Sequence, residues 1–233
     1  MIDLTFIGHS AFFIETQVGS NILIDPFISS NPLANFDVNK VDIEHIFLTH
    51  GHSDHFGDTI DSALSKNSTV TAIFELANYI AKSKIKTIPV NLGGSIEYDF
   101  GKVVFLNAMH SSSSIDGKYL GCPASILFEF NDCEDSHNIT KIFHCGDSCL
   151  ISEFELIGEL YKPDVALLPI GSRFTMDIEQ ASIAAKMLKV KTVIPMHYNT
   201  FDFIKVNVSK FKKIIETQGQ NCLVMNPNDK IRL

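Results

Sequence analysis

Short apolar runs alternate with polar turns and with segments of helical periodicity along the whole chain. Apolar runs that are bounded by Gly, Pro, Asn, Asp or Ser are typical of β-strands. Strands are predicted at 4–7, 11–15, 21–24, 46–49, 70–74, 87–90, 95–98, 102–108, 125–130, 141–144, 165–170, 192–195 and 221–225. Helices are predicted at 59–65, 75–84, 154–161, 177–189 and 209–217, and a polar turn at 131–138. Asp177 and Gln180 have the spacing of a capping box at the start of the fourth helix.

The two halves of the chain resemble each other in this pattern. Each half interleaves strands with helices, and each places acids or histidines directly after strands. No linker separates the halves. We therefore expect residues 1–233 to form a single domain that contains an internal pseudo-duplication.

The densest cluster of polar side chains lies at 50–55, where three histidines and one acid follow an apolar run: His50, His52, Asp54 and His55. Imidazole and carboxylate suit zinc and similar first-row ions. A strand or a helix would aim these side chains in different directions, whereas a tight loop at Gly51 would turn them inward. The alternative is a solvated His-rich loop without a function. Because the cluster follows a predicted strand, we favour a strand ending at Thr49, a metal-binding loop and a helix beginning near Gly57.

Four further polar residues also stand directly after apolar strands: Asp25, His110, Asp147 and His197. Loops at one edge of a sheet converge in space, so we expect these side chains to meet the 50–55 loop. From His50 onward the set supplies seven ligands. That number suits two ions that keep open positions for water and substrate.

The charge of the chain limits its partners. The net charge is −8 and the pI is near 5.5, which disfavours nucleic acid as a partner because such binding needs a basic stripe. The short basic stretch near the C-terminus has helical spacing and is better explained as a solvated helix face. It contains Lys205, Lys210, Lys212 and Lys213.

Cysteine usage and the N-terminus indicate a cytoplasmic protein. Five cysteines, an odd number without a C-x-x-C pair, fit free thiols in a reducing compartment. The N-terminus lacks the basic region of a secretory peptide. No apolar run approaches the roughly 18 residues that span a bilayer, so we expect no membrane partner.

The order of these residues resembles that of the metallo-β-lactamase superfamily. The run H-x-H-x-D-H at 50–55 is followed by a lone His, a lone Asp and a lone His, in the order of that family. The resemblance covers nearly the whole chain, and the matching stretches lie along it at Gly8-His9-Ser10, His110-Ser111-Ser112-Ser113, Gly146-Asp147-Ser148, Leu168-Pro169-Ile170-Gly171, Arg173-Phe174-Thr175-Met176 and Pro195-Met196-His197-Tyr198. They are similar to a branch of metal-dependent hydrolases related to ascorbate-6-phosphate lactonase. The resemblance implies the α/β class, as a four-layer α/β/β/α sandwich with two mixed sheets, helices outside and a binuclear site at one edge.

The resemblance also implies a role for each ligand. His50, His52 and His110 would hold the first metal ion, and Asp54, His55 and His197 would hold the second. Asp147 would bridge the two ions, and Asp25 would steady the metal loop from behind by hydrogen bonds. The cofactor is then two divalent metal ions, with zinc preferred and manganese or nickel as alternatives. One departure is visible, since Cys145 and Cys149 flank Asp147 and would add oxidation-sensitive thiols near the site.

The implied activity is hydrolysis of a small ester, lactone or phosphoester by a metal-bridging hydroxide, which Asp54 orients. His9 is a candidate for the acid that protonates the leaving group or for a substrate contact; alternatively it hydrogen-bonds Asp54 or a backbone carbonyl. Arg173 is a candidate to bind a substrate anion bidentately, against the alternative of an ordinary ion pair. Tyr198 is a candidate to contact the oxyanion, against the alternative of packing.

Other interpretations stay open at this stage. A nucleic-acid phosphodiesterase of the tRNA-processing type is disfavoured by the acidic charge balance and by the lack of a basic protruding arm. The diiron oxygen-reducing branch is disfavoured because an acid would stand at the position of His52. A metal-binding protein without turnover is the alternative outside enzymes. The expected partner is a small-molecule substrate, and a homo-oligomer is compatible with the sequence.

Overall fold

The apolar runs form two seven-stranded mixed sheets that pack face to face. The computed structural model describes residues 1–132 and 139–233. The polar turn predicted at 131–138 therefore lies mostly outside the described residues. The strands are β1 (Asp3–Gly8), β2 (Ala11–Glu15), β3 (Asn21–Ile24), β4 (His45–Phe47), β5 (Thr69–Ile73), β6 (Thr87–Val90), β7 (Ser95–Tyr98), β8 (Gly101–Asn107), β9 (Ala124–Asn131), β10 (Ile139–His144), β11 (Val165–Pro169), β12 (Thr192–Met196), β13 (Asn221–Cys222) and β14 (Lys230–Arg232).

Each sheet follows the same pairing pattern. The first has the order β14-β1-β2-β3-β4-β5-β6, and the second has the order β13-β12-β11-β10-β9-β8-β7. Pairing is antiparallel from β14 to β3 and parallel from β3 to β6. It is likewise antiparallel from β7 to β10 and parallel from β10 to β13. The two sheets therefore repeat one pairing pattern.

The inner faces of the two sheets share one apolar cluster, and the helices cover the outer faces. Phe47 on β4 and Phe128 on β9 are both fully buried, and their rings meet edge to face at 5.1 Å between centroids. The helices are α1 (Ser53–Phe56), α2 (Thr59–Lys66), α3 (Phe74–Ala81), α4 (Glu153–Leu160), α5 (Ile178–Leu188) and α6 (Val208–Thr217). Helix α3 packs on β5 and β6, and α5 packs on β11 between α4 and α6. The predicted four-layer α/β/β/α sandwich is confirmed.

Several boundaries differ from the predictions for physical reasons. Strand β4 ends at Phe47 rather than Thr49, because the Thr49 amide leaves the ladder and donates to Oδ1 of Asp25 at 2.9 Å. The predicted closing strand at 221–225 is reduced to β13, whereas β14 was not predicted. Strand β14 has only three residues and forms by pairing with β1 at the far end of the chain, so it shows no local pattern.

The capping box is confirmed: the Gln180 amide donates to Asp177 at 2.8 Å, and the Asp177 amide donates to the Gln180 side chain at 3.2 Å.

Within the described residues, every helix is too short or too polar to cross a bilayer.

Candidate metal centre

The predicted ligands come from loops that follow strands at one edge of the two sheets. His9 follows β1, Asp25 follows β3, and the 50–55 loop follows β4 in the first sheet. In the second sheet, His110, Asp147 and His197 follow β8, β10 and β12. These side chains meet although up to 188 positions of the 233-residue chain separate them, from His9 to His197, because both sheets present the same edge.

The metal loop differs from the prediction in its second half. His52 lies just before a helical turn, α1, which carries Asp54 and His55, so helical structure begins before Gly57. Gly51 is required for a different reason than predicted. Its φ is not in the left-handed region, but a Cβ atom there would lie 2.5 Å from the Leu120 side chain. Lack of space beneath the 111–122 segment therefore explains the glycine.

Ligand atoms gather in three overlapping groups, and within each group they lie within 4.8 Å of one another. The groups are His50, His52 and His110; His9, Asp54, His55 and His197; and His50, His55 and Asp147. His50 and His55 each belong to two groups, which joins all three into one site. The structure thus brings together all seven predicted ligands, with His9 beside them.

Three buried ligand atoms at the centre of the site have no hydrogen-bond partner among the described residues: Nε2 of His55, Oδ1 of Asp147 and Nε2 of His197. His55 Nε2 lies 3.3 Å from Asp147 Oδ1, and His197 Nε2 lies 3.1 Å from Asp147 Oδ2. Burying such atoms without partners is costly. Lone pairs of imidazole and carboxylate that converge in this way suit a divalent cation, so the residues fit a metal centre.

Asp25 lies behind the 50–55 loop and forms hydrogen bonds to His55 within it and to Thr49 directly before it. Its carboxylate accepts hydrogen bonds from the Thr49 amide at 2.9 Å and from the Thr49 hydroxyl at 2.6 Å. The same carboxylate lies 2.7 Å from Nδ1 of His55. This contact directs the Nδ1 proton of His55 toward Asp25 and turns the Nε2 atom toward the site.

Thr49 is a residue of the candidate site that the sequence analysis missed. Its hydroxyl donates to Asp25, so its oxygen accepts a hydrogen bond from Nδ1 of His50 at 3.0 Å. His50 therefore also presents its Nε2 lone pair to the site. The position of Thr49, directly before the histidine loop, was the signal that could have indicated this role.

The electrostatics separate the histidines into two sets. Burial is the main reason that the pKa values of His50, His52 and His110 lie below the usual range, which keeps these rings neutral. Burial also acts against protonation of His55 and His197, but the Asp147 carboxylate outweighs it. The pKa of His55 is thus raised well above its ordinary value, and that of His197 is raised to about 9.

His9 lies between Asp54 and Thr200, and Thr200 is a second residue that the sequence analysis missed. Its Nε2 lies 3.1 Å from Asp54 Oδ2, and its Nδ1 lies 2.9 Å from the Thr200 hydroxyl. Burial is the main cause that lowers the pKa of His9 to about 4, with the neighbouring His197 adding to it. The contact with Asp54 is the one expected if His9 only hydrogen-bonds Asp54, which is the alternative to its role as an acid. Thr200 carries no motif of its own, so only its position three residues after His197 could have drawn attention to it.

Three of the site residues have a left-handed backbone, which is uncommon outside glycine. The φ angles are 59° at His9, 45° at Asp25 and 54° at His197. Non-glycine residues hold this conformation at a cost, and such positions cluster at functional sites. The amide of His197 donates to the His9 carbonyl at 2.7 Å, so two of the three are tied to each other.

The two predicted substrate contacts lie in different surroundings. Arg173 is exposed, and its guanidinium carbon lies 5.5 Å from the ring centroids of both Phe174 and Phe203. No ion pair of Arg173 occurs in the described part of the chain, so the alternative role in an ion pair is not observed. Tyr198 packs against the apolar cluster, and burial raises its pKa to about 12. Its proposed contact with the oxyanion stays a prediction.

The cysteines beside Asp147 differ in exposure. Cys145 is fully buried, whereas Cys149 is exposed, and neither belongs to a ligand group in the described residues. Burial raises the pKa of the Cys145 thiol strongly, which suppresses the reactive thiolate. Of these two thiols, Cys149 is therefore the one open to oxidation.

Two stacked mixed sheets with a His and Asp cluster at their common edge are the architecture of a metalloprotein of the α/β/β/α type. The model of the β-lactamase superfamily domain matches residues 3–197 of the chain. The chain belongs to this family, and within it to the metal-dependent hydrolases. The predicted membership of the metallo-β-lactamase superfamily is thereby confirmed.

Relatives and solved structures agree with this assignment. A UPF0173 metal-dependent hydrolase of Bacillus cereus is 45% identical over 224 residues, which are 94% of this chain and 93% of the relative. One of Bacillus mycoides is 44% identical over 227 residues, which are 95% of this chain and 94% of the relative. The structure of Igni18, a metallo hydrolase from the archaeon Ignicoccus hospitalis, superposes with a TM-score of 0.87 at 34% identity, over 99% of this chain and 97% of that one.

Proposed function

We propose that the chain is a binuclear metal-dependent hydrolase of a small ester, lactone or phosphoester. The observation that carries the proposal is the set of buried, unpartnered atoms on His55, Asp147 and His197, which face one another at the centre of the ligand cluster. Seven ligands at one sheet edge are more than one first-row ion takes from a protein when it keeps a position open for substrate. The ligand number therefore supports two ions.

The grouping of ligand atoms supports the predicted division between the ions. His50, His52 and His110 would hold one ion, and Asp54, His55 and His197 would hold the other. Asp147 would bridge them, because its carboxylate faces histidines of both sets: His110 of the first, and His55 and His197 of the second. Zinc suits this donor set best, with manganese or nickel as alternatives.

When bound, two such ions supply Lewis acidity and lower the pKa of a coordinated water toward neutrality. The side chains of the protein position the attacking water and hold one another by hydrogen bonds. Asp54, whose side chain is partly exposed, orients the attacking water, and His9 holds the Asp54 carboxylate through its Nε2. Thr200 holds His9 in turn through Nδ1. His9 is thus better placed to steady Asp54 than to protonate a leaving group.

The proposal also includes the predicted domain organisation, location and partner. Residues 1–233 act as one hydrolase domain, supported by the apolar cluster that runs through both sheets. A reducing cytoplasm suits the free cysteines of the described residues. The substrate is a small molecule, and the net charge of −8 speaks against nucleic acid.

The test is a substrate panel on the metal-loaded protein. Chromogenic phosphodiesters, lactones and thioesters are tested with zinc, manganese and nickel, with a structured RNA in parallel. We expect turnover of at least one small substrate, loss of it in Asp147→Asn together with loss of one ion, and no change in the surface control Asp61→Asn. Cleavage of RNA alone would instead identify a nucleic-acid phosphodiesterase. Two bound ions without any turnover would identify a metal-binding protein.

A further inference from the structure

A row of phenylalanine rings leads from the candidate metal centre to the exposed Arg173. The Phe201 ring lies 5.8 Å from the His9 ring between centroids, and the Phe203 ring stacks on Phe201 at 5.3 Å with 16° between planes. Phe174 meets Phe203 nearly perpendicularly at 5.7 Å. We call Phe201, Phe203 and Phe174 the aromatic row. Its inner end, Phe201, packs against His9, which contacts the predicted ligand Asp54.

The outer half of the aromatic row is not part of the core. Phe203 is 50% exposed and Phe174 is 52% exposed, although they are large aromatic side chains. Adjacent exposed aromatic rings are uncommon on a protein surface and mark binding sites more often than single ones do. Stacked rings of this kind offer a flat apolar wall to a ligand.

Arg173 completes the aromatic row with a positive charge. Its guanidinium lies over two rings, which hold a cation by their quadrupoles without using its N–H groups. Arg173 makes no salt bridge to a carboxylate within the ranges 1–132 and 139–233. Its N–H donors therefore remain available for a bidentate contact with an anion.

The loops that carry the row are fixed relative to the metal centre. A Cβ atom at Gly171 would lie 2.2 Å from the His197 carbonyl oxygen, so the Arg173 loop packs directly on the backbone of a predicted ligand. Asn199 closes the other loop, since its side chain accepts the Val206 amide at 2.9 Å and its own amide donates to Ile204 at 3.0 Å. A subsite on these loops keeps a constant position relative to the reacting bond.

From this arrangement we infer that the aromatic row and Arg173 form the specificity subsite of the enzyme. The substrate it fits is a small organic anion, with an aromatic or aliphatic segment next to the scissile bond and a carboxylate or similar anionic group at the far end. The aromatic row contacts the apolar segment, and Arg173 binds the anionic group. This inference rests on the proposed function, because the scissile bond must lie at the metal centre.

The experiment compares two esters that differ in one charge. The zinc-loaded protein is given 4-nitrophenyl hexanoate and the mono-4-nitrophenyl ester of adipic acid, which has the same acyl length and a terminal carboxylate. We expect a higher kcat/KM for the anionic ester. Arg173→Gln should lower that value roughly ten- to a hundred-fold, as loss of a charged hydrogen bond does, and change the neutral ester little. Arg173→Lys should restore only part of the loss, because it lacks the planar fork.

Two matched variants control for charge and for aromatic surface elsewhere. Lys186→Gln removes one exposed positive charge from α5, and Phe74→Leu removes an exposed ring from α3, and neither should alter the preference. Phe203→Leu should lower kcat/KM for both esters, since both acyl chains contact the aromatic row. Light scattering of each variant checks that the oligomeric state is unchanged.

A binding measurement separates the subsite from the reaction. Calorimetry with 4-phenylbutyrate on the zinc-loaded protein should show roughly tenfold weaker binding to Arg173→Gln than to the parent. If neither these esters nor any member of the substrate panel is hydrolysed but this difference is found, the anion-binding subsite stands and the proposed function fails. Equal hydrolysis of the two esters, unaltered by Arg173→Gln, would overturn the subsite while the function stands. Dissociation of an oligomer in Phe203→Leu, with ester preference unchanged, would also overturn it and identify an interface between copies.

Discussion

The Asp25 carboxylate lies 2.7 Å from Nδ1 of His55, and neither side chain is exposed to solvent. Both oxygens of Asp25 are used, since they also accept the amide and the hydroxyl of Thr49. Asp25 thus sets the direction of one predicted ligand and the path of the chain that leads to the others. Partners behind the ligands in this way typically change metal affinity when they are lost.

Asp25→Asn should weaken metal binding by roughly ten- to a hundred-fold. Asparagine tolerates the left-handed backbone at this position, so the change removes the charge and one acceptor without backbone strain. The measurement is zinc affinity by competition with a chelator, with the exposed Asp61→Asn as control. An affinity equal to that of the parent protein would show that Asp25 has no part in holding the metal.

Metal binding should release protons near neutral pH. The Asp147 carboxylate holds the pKa of His197 at about 9 and that of His55 above its usual range, so both rings are protonated on both nitrogens and positively charged at pH 7 without metal. A ring nitrogen that binds a metal must lose its proton, whereas His50, His52 and His110 are already neutral. Affinity should therefore rise with pH up to about 9 and level off above it.

Calorimetry in two buffers of different ionisation enthalpy measures the release directly. We expect about one to two protons per site at pH 7 and fewer above pH 9. A proton count near zero at pH 7 would mean that His55 and His197 are neutral in the metal-free protein, against the effect of Asp147.

Thr200 should act on turnover through His9. Thr200→Val keeps the shape of the side chain but removes the oxygen that lies 2.9 Å from Nδ1 of His9. We expect a roughly three- to tenfold fall in kcat, the usual effect of one hydrogen bond, with little change in KM. Thr200→Ser should restore kcat, and both variants should bind zinc in parental amounts.

His9→Gln tests the same chain of contacts at its centre. Turnover and substrate affinity equal to those of the parent would remove both His9 and Thr200 from the mechanism.

The contact between the two sheets should carry much of the stability. Phe47 and Phe128 are fully buried and meet edge to face across the sandwich. Phe47→Ala should lower the free energy of unfolding by about 3–5 kcal/mol, because it leaves a cavity between the sheets. Urea denaturation of the metal-free protein measures this without the contribution of metal binding.

The matched control for the core is Phe74→Ala, which removes a ring that is 53% exposed on α3. Its effect should stay near about 0.5 kcal/mol. Equal losses in the two variants would contradict the packing described for the sheet interface.

Exposure should decide which thiols react. Cys122 and Cys149 are exposed, whereas Cys145 and Cys222 are buried. Brief treatment with iodoacetamide should label the first pair in the folded protein, and the second pair only after unfolding in urea. Peptide mass spectrometry reads each site separately. Rapid labelling of Cys145 in the folded protein would show that the chain opens next to Asp147.

Local sequence was informative wherever a single segment decides the outcome. The strand pattern, the capping box of α5 and the H-x-H-x-D-H run are local features, and the structure contains each of them. Boundaries moved where a distant group intervened, as at Thr49, whose amide bonds to Asp25 rather than to the next strand. Strand β14 was not predicted because it forms only by pairing with the distant strand β1, and its three residues carry no local strand pattern.

The sequence by itself determined the fold class, the family and the residues that meet at one sheet edge, because apolar periodicity and chemistry at strand ends are written in consecutive positions. The tertiary structure alone decided which groups stand behind and beside them: Thr49 at His50, Thr200 at His9, and the aromatic row beneath Arg173. The contacts of Thr200 with His9 and of Phe203 with Arg173 join loops that are far apart in the chain, and Thr49 is held toward its neighbour His50 by a hydrogen bond to the distant Asp25. Their geometry follows from how the two sheets pack, and no spacing along the chain records it.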